Sequence, residues 1–162
     1  IVFSDTSNIL SIIRNAQNED LEGILKLVNK WYTNHSKFYN RLKNKKYFSV
    51  EQSRDYFQQG IINNFNNKES IIIVAVESEV VGFYILKKIG DKKYKGISTG
   101  VDPKMRGQNL HVFMQRKCSD VIKEPYTVIN RTQLNNYKVL NNHISERRKL
   151  VAIEHILYLK PE

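Results

Sequence analysis

Cys118 is the only cysteine in 162 residues. One thiol cannot close an internal disulfide, so a small disulfide-stapled scaffold is excluded. No Cys/His cluster with metal-ligand spacing occurs either, and no metal site is expected. Long apolar runs are also lacking. The longest is the strand-sized IIIVAV at 71–76, far short of the roughly 18–20 residues of a membrane span. No secretory signal, internal repeat or low-complexity linker is visible. The chain starts at Ile1 rather than Met, which leaves room for an upstream segment. With 41% hydrophobic residues, the expectation is one cytoplasmic globular domain over 1–162 with a real core.

Negative charge is in short supply. Twenty-six Lys and Arg face 16 Asp and Glu, for a formal net charge of +10. A basic surface favours polyanions or a phosphorylated small molecule. The lysine clusters RLKNKK at 41–46 and KKIGDKKYK at 87–95 read as a loop and a hairpin edge. General residue bias explains them as well as function does, and nucleic acid is not the expected partner.

Hydrophobic periodicity gives an alternating order of elements. LSIIR at 10–14 reads as a strand. Asn18 is placed to cap a helix over about 19–33, carrying Leu21, Ile24, Leu25, Val28 and Trp31 on one face. Ser49 and Gln52 form a capping-box pattern ahead of a second helix, with Tyr56, Phe57, Ile61 and Phe65 as its apolar face. Strands are predicted at 70–77, 80–88 and 96–102, the last stopped by Pro103. A helix at 110–123, a strand at 126–132, a polar helix at 133–144 and a strand at 150–160 complete the order. Hairpins in the middle and a strand–helix–strand unit at the end predict an α/β fold. Its sheet would be mixed, mostly antiparallel, with helices on both faces.

The turn RGQNLH at 106–111 carries the candidate chemistry. A helix N-terminus offers unpaired N–H groups and partial positive charge to an anion. Gly107 allows close backbone approach, Asn109 tolerates left-handed dihedrals, and Arg106 adds a forked cationic donor. The reading is an anion site at the start of the helix near Leu110, or simply a connection.

The order of elements, with IIRNAQNEDLEGILKLV, IIIVAVESEVVGFYIL and STGVDPKMRGQNL, resembles the GCN5-related N-acetyltransferase family over about 11–160. In that family an Arg/Gln-x-x-Gly-x-Gly/Ala turn cradles the pyrophosphate of acetyl-coenzyme A. Arg106 matches the first position; Asn109 and His111 stand where the family has its small residues. The resemblance implies a cofactor-binding set of Gly100, Val101, Arg106, Gly107, Gln108, Asn109, Leu110, His111 and Asn136, with Asn135 as a rival for the last. It also implies that strand 96–102 splays from strand 126–132. Gly100 and Val101 would then face the pantetheine arm, and the Val101 N–H would serve as oxyanion donor.

The implied reaction is attack of a neutral amine on the acetyl thioester, with acetyl-coenzyme A as cosubstrate and no metal. The family's usual tyrosine, which protonates the leaving thiolate, falls on His143, with Tyr137 a weaker alternative. No clear general base stands out: Asp102 can shape the strand end, and Glu77 lies in a hairpin turn. Tyr32, His35, Phe38, Tyr39, Arg41, Arg147 and Arg148 would line the acceptor side. Aromatics with arginine suit a phosphorylated or nucleotide-linked amino sugar. The ending TQLNNYKVLNNHISERRKLVAIEHILYL is similar to that of amino-sugar acetyltransferases of surface-polysaccharide pathways. The expected partner is a small-molecule amine, with a homodimer left open. The competing readings are a non-catalytic module of the same fold and a basic nucleic-acid-binding domain.

Overall fold

The computed structural model describes residues 6–33, 48–132, 136–137, 140–141, 144 and 149–153. The chain enters through α1 (Thr6–Ser11), β1 (Ile13–Asn15) and α2 (Asp20–Thr33). It continues through α3 (Val50–Phe65), the strands β2 (Ser70–Val76), β3 (Val80–Gly90) and β4 (Lys93–Val101), then α4 (Leu110–Ile122) and β5 (Thr127–Ile129). The expected strand at 10–14 is therefore replaced by a short helix and a later strand. Ile13, Arg14 and Asn15 pair with Ala75, Val74 and Ile73, so partners on β2 set where this strand begins.

The sheet has the order β1-β2-β3-β4-β5. The first three pairings are antiparallel and β4–β5 is parallel. The mixed sheet expected from sequence is the sheet observed. β3 lies at its centre and is buried without interruption from Val80 to Leu86, as a strand covered on both faces must be. On one face α2 and α3 bring Ile24, Leu27, Val28, Trp31 and Ile61 onto Val74, Phe83 and Ile85. On the other, α4 brings Leu110, Met114 and Cys118 onto Ile73, Ala75, Val81 and Tyr84. At Gly82 the helix comes closest: a Cβ there would lie 3.1 Å from Leu110 and 3.2 Å from Met114.

Local signals behave as their chemistry requires. Ser49 accepts the Gln52 N–H at 3.1 Å while Gln52 accepts the Ser49 N–H at 2.9 Å, a complete capping box. At the start of α2 the working group is Asp20 rather than Asn18. Its buried carboxylate accepts the Gln17 N–H at 2.7 Å and a two-pronged pair from Arg14 at 2.6 and 2.9 Å. Strand β4 begins earlier than expected, because Gly90 pairs with Lys93 across a tight turn in which Lys92 has φ 49°. Of the expected helix at 133–144, Tyr137, Leu140, Asn141 and Ile144 are helical. Residues 150–153 are exposed and not in a strand; the rest of the strand expected at 150–160 lies outside the described residues.

Candidate active site

The turn is built outward from the end of β4. The Asp102 N–H donates to the Val81 carbonyl at 2.8 Å, which pins the strand end to β3. The Asp102 side chain then accepts the Lys104 N–H at 3.0 Å and starts a single 3-10 turn, Pro103–Met105. Proline fits there because the first N–H of a helical turn has no partner to lose. Met105 and Leu110 are both buried, at 8% and 2% exposure. Residues 106–109 thus form a bridge between two apolar anchors.

Within the bridge the chain turns left-handed twice. Gly107 has φ +87° with no atom within 4 Å of a would-be Cβ. Asn109 has φ 57° and ψ 21° at the N-cap of α4, where its side chain makes no capping bond. Asparagine is among the few side-chain-bearing residues that visit this region readily. The Asn109 carbonyl accepts from Val112 at 2.9 Å and Phe113 at 3.2 Å, so the helix starts cleanly. Among the described residues, no hydrogen bond engages the N–H groups of Gly107, Asn109 or Leu110, while Arg106 and Gly107 form a tight turn that closes on the Gln108 N–H. Arg106 stands exposed at the rim and His111 is half-buried in the first turn of α4. Unpaired N–H groups, a glycine with open space above it and a cationic rim match what a pyrophosphate requires.

On the way to this turn β4 runs past its parallel neighbour β5. The β4–β5 ladder joins only Lys93, Tyr94 and Lys95 to Thr127, Val128 and Ile129, though β4 runs on to Val101. The pairing of β4 with β3 steps from Ile85↔Ser98 to Leu86↔Gly96, leaving Ile97 as an extra residue. Such a bulge bends a strand and raises its local twist, and it falls where the two strands part. At the same level the Asn130 amide takes the place of a side chain on Gly96: its Oδ1 lies 1.9 Å from a would-be Cβ.

Backbone alternation decides which groups turn away from β3. Asp102 N–H points to β3, and the Gly100 carbonyl oxygen lies 3.4 Å from a would-be Cβ on Gly82 of the same strand. Val101, between them, turns its N–H and C=O away from β3, and Thr99 does the same two residues back. Gly100 serves differently. A Cβ on it would lie 1.9 Å from the Trp31 ring, which is fully buried and stacks on Phe83 at 5.8 Å. Glycine here leaves room for the Trp31 ring of α2 over the end of β4.

Around the Asp102 side chain sits a chain of charges. Lys30 Nζ lies 3.6 Å from Asp102 and 3.0 Å from Glu79, and Lys104 Nζ is 3.4 Å from Glu79. The Lys30 ammonium is held above the usual lysine range, first by its hydrogen bond to Glu79. Glu79 is held below the usual carboxylate range by hydrogen bonds from Lys30 and Lys104. Asp102 is thus engaged on both oxygens, and Glu77 is exposed in the β2–β3 turn. Burial pushes the Cys118 thiol up to about 12, so it stays protonated, packed on the inner face of α4.

The structure thus places Val101 and Arg106 to His111 in sequence from the end of β4 to the first turn of α4, whereas Gly100, expected beside Val101 on the pantetheine arm, is buried under Trp31 with its backbone turned to β3. Asn136 is half-buried at a helix start, its carbonyl accepting the Leu140 N–H at 3.1 Å. Tyr137 is 71% exposed. Tyr32 points its hydroxyl at the Ser53 carbonyl of α3, 3.3 Å away, which makes it a helix–helix contact. Asn135, His143, His35, Phe38, Tyr39, Arg41, Arg147 and Arg148 lie outside the described residues. Sequence reasoning missed Thr99, Asn130, Trp31 and Lys30. Only Thr99 had a readable signal, the period-two alternation from Val101. Among the described residues no three His, Cys, Asp or Glu side chains cluster for a metal, and no helix is long and apolar enough to cross a membrane.

No family model and no curated protein matches the chain. Solved structures do. An aminoglycoside acetyltransferase from an uncultured soil metagenomic sample, in complex with trehalose, superposes with a TM-score of 0.62 at 14% identity, covering 92% of this chain and 95% of that one. A GNAT-family acetyltransferase from Staphylococcus aureus gives a TM-score of 0.61 at 14% identity over 83% of this chain and 81% of its own. The enzyme AAC(6')-Iy, in complex with a coenzyme A–acetylneamine bisubstrate analogue, gives 0.56 at 13% identity over 93% and 97%. The chain therefore has the GCN5-related N-acetyltransferase fold, as the resemblance in its sequence implies.

Proposed function

We propose that the protein is an acetyl-coenzyme A-dependent N-acetyltransferase acting on the primary amine of a small molecule in the cytoplasm. The observation that carries this reading is the bridge 106–109 leading into Leu110, with the N–H groups of Gly107, Asn109 and Leu110 unpaired among the described residues, Gly107 under open space and Arg106 at the rim. These residues fit the pyrophosphate of coenzyme A. From there the edge of β4 turned away from β3 presents the Val101 and Thr99 backbone groups to a pantetheine arm. Bound acetyl-coenzyme A supplies the activated thioester. The chain's task is to orient it and to place an N–H, from Val101 or the deeper Thr99, on the oxygen that gains charge. The amine nitrogen bonds to the acetyl carbon, the carbon–sulfur bond breaks, and the amine loses a proton to water or a base. His143 is the proposed donor of the proton that the departing thiolate takes up.

The finer substrate proposed is a nucleotide-linked amino sugar. It rests on the aromatic and arginine content of 32–48 and 143–149, and a single domain over 1–162 able to form a homodimer is part of the same proposal. AAC(6')-Iy bound to an acetylated aminoglycoside conjugate supports an amino-sugar class in general terms.

Calorimetric titration with acetyl-coenzyme A, beside Arg106→Glu, tests the cofactor site. The wild type should bind and the variant should not. A folded wild type that binds nothing at millimolar ligand would overturn the proposal. Binding without turnover across a screen of amines and amino-sugar nucleotides would mark the non-catalytic alternative, which His111 in the first turn of α4 favours.

A further inference from the structure

Two consecutive residues of α2 reach the two sides of Val101. Trp31 fills the space over Gly100, and Lys30 reaches the Asp102 carboxylate at 3.6 Å. Asp102 is buried, its side chain 9% exposed, and it starts the 3-10 turn that delivers Arg106 and Gly107. One backbone N–H does not compensate a carboxylate removed from water. The remaining compensation comes from outside the turn. Lys104, Glu79, Lys30 and Asp102 form an alternating series of two cations and two anions. Taken together the four are neutral. Without Lys30 they would carry a net negative charge four residues before Arg106, beside a surface that must accept phosphates.

We infer that Lys30 is a positioning residue for cofactor binding: it neutralises Asp102 and so lets the turn keep its shape without repelling the pyrophosphate. The inference rests on the proposed coenzyme A site. It ties that site to α2, whose chain continues directly into 34–48, the stretch assigned to the acceptor side.

The test titrates coenzyme A itself, which needs no acceptor, into the wild type, Lys30→Met, Lys30→Arg and Lys30→Met/Asp102→Asn. Each protein is first checked for a cooperative urea transition. Lys30→Met should bind about fivefold more weakly at low salt, a loss that narrows as salt screens the exposed charge. Lys30→Arg should bind within about twofold of the wild type. The double variant should regain affinity over Lys30→Met, because the uncompensated charge is gone. A merely structural role predicts the reverse, with the double variant weaker still. That result would overturn the inference, as would unchanged binding by Lys30→Met. So would unfolding of both Lys30→Met and the milder Lys30→Gln. If the wild type itself binds no coenzyme A, the cofactor reading fails and the inference falls with it. If the wild type binds and only the variant pattern is wrong, the inference alone fails.

Discussion

Strand β4 ends in a basic turn on both sides, and each turn holds a non-glycine residue at positive φ: Lys92 at 49° and Asn109 at 57°. The resemblance stops there. At the hairpin end Gly90 pairs with Lys93, and the Lys92 carbonyl accepts the Thr127 N–H at 2.8 Å. Its lysines are solvated, and Lys92 finds Glu124 at 3.4 Å. At the other end, among the described residues, the N–H groups of Gly107, Asn109 and Leu110 are left unpaired where the chain bridges the buried anchors Met105 and Leu110. Both turns are basic, so charge does not distinguish them; the unpaired backbone donors do, and they are what the proposed pyrophosphate site rests on.

The largest effect should come from the support of the site end. Gly100→Val drives a side chain into the Trp31 ring and should cost about 3 kcal/mol, read as a lowered urea midpoint. A neutral result would mean that the Trp31 ring does not fill the space over Gly100 as described. Next comes charge reversal at each end. Arg106→Glu should weaken coenzyme A binding by at least about tenfold, while Lys92→Glu should leave it within about twofold. Equal losses would show that overall charge, rather than the turn, drives binding.

The two buried carboxylates extend the comparison to the ends of α2. Burial alone would raise the Asp20 pKa. The hydrogen bonds from Arg14 and the Gln17 N–H outweigh it and hold the carboxylate below its ordinary value. A lowered folded-state pKa stabilises the fold above the unfolded value, about 3.9, and that stabilisation is lost as pH falls through the folded one. Asp20→Asn should therefore cost about 1 kcal/mol at neutral pH, discounted because Arg14 is partly exposed, and less in acid. Coenzyme A affinity should not change, since Asp20 serves only the fold. Urea midpoints measured from pH 7 down to acid check the sign; a cost that persists undiminished in acid would exclude the ion pair as its source.

The smallest effect separates the two left-handed residues. Lys92→Gly should stabilise by about 0.5 kcal/mol, because lysine is strained where glycine is not. Asn109→Gly should gain less, since asparagine already tolerates that conformation, and should keep coenzyme A affinity. A loss of affinity in Asn109→Gly would assign the Asn109 side chain a direct part in binding.

Much of this molecule is decided locally and could be read from the chain. Apolar residues three and four apart set α2, the Ser49–Gln52 box starts α3, and β-branched runs set β2 and β3. Arg-Gly-Gln-Asn before Leu110 marked a strand-to-helix turn with exposed backbone. These features depend on neighbours within a few residues, so the sequence alone determines them. Tertiary structure decided the rest. The first strand shifted from 10–14 to Ile13–Asn15 because β2 sets its register. The bulge at Ile97 exists only because β3 and β4 pair out of step. Glycine at position 100 acquires its meaning from Trp31, and Asp102 from Lys30, each about seventy residues earlier in the chain. No local pattern could encode such contacts. They arise when α2 packs on the sheet, and the burial of its apolar face brings those side chains to the end of β4.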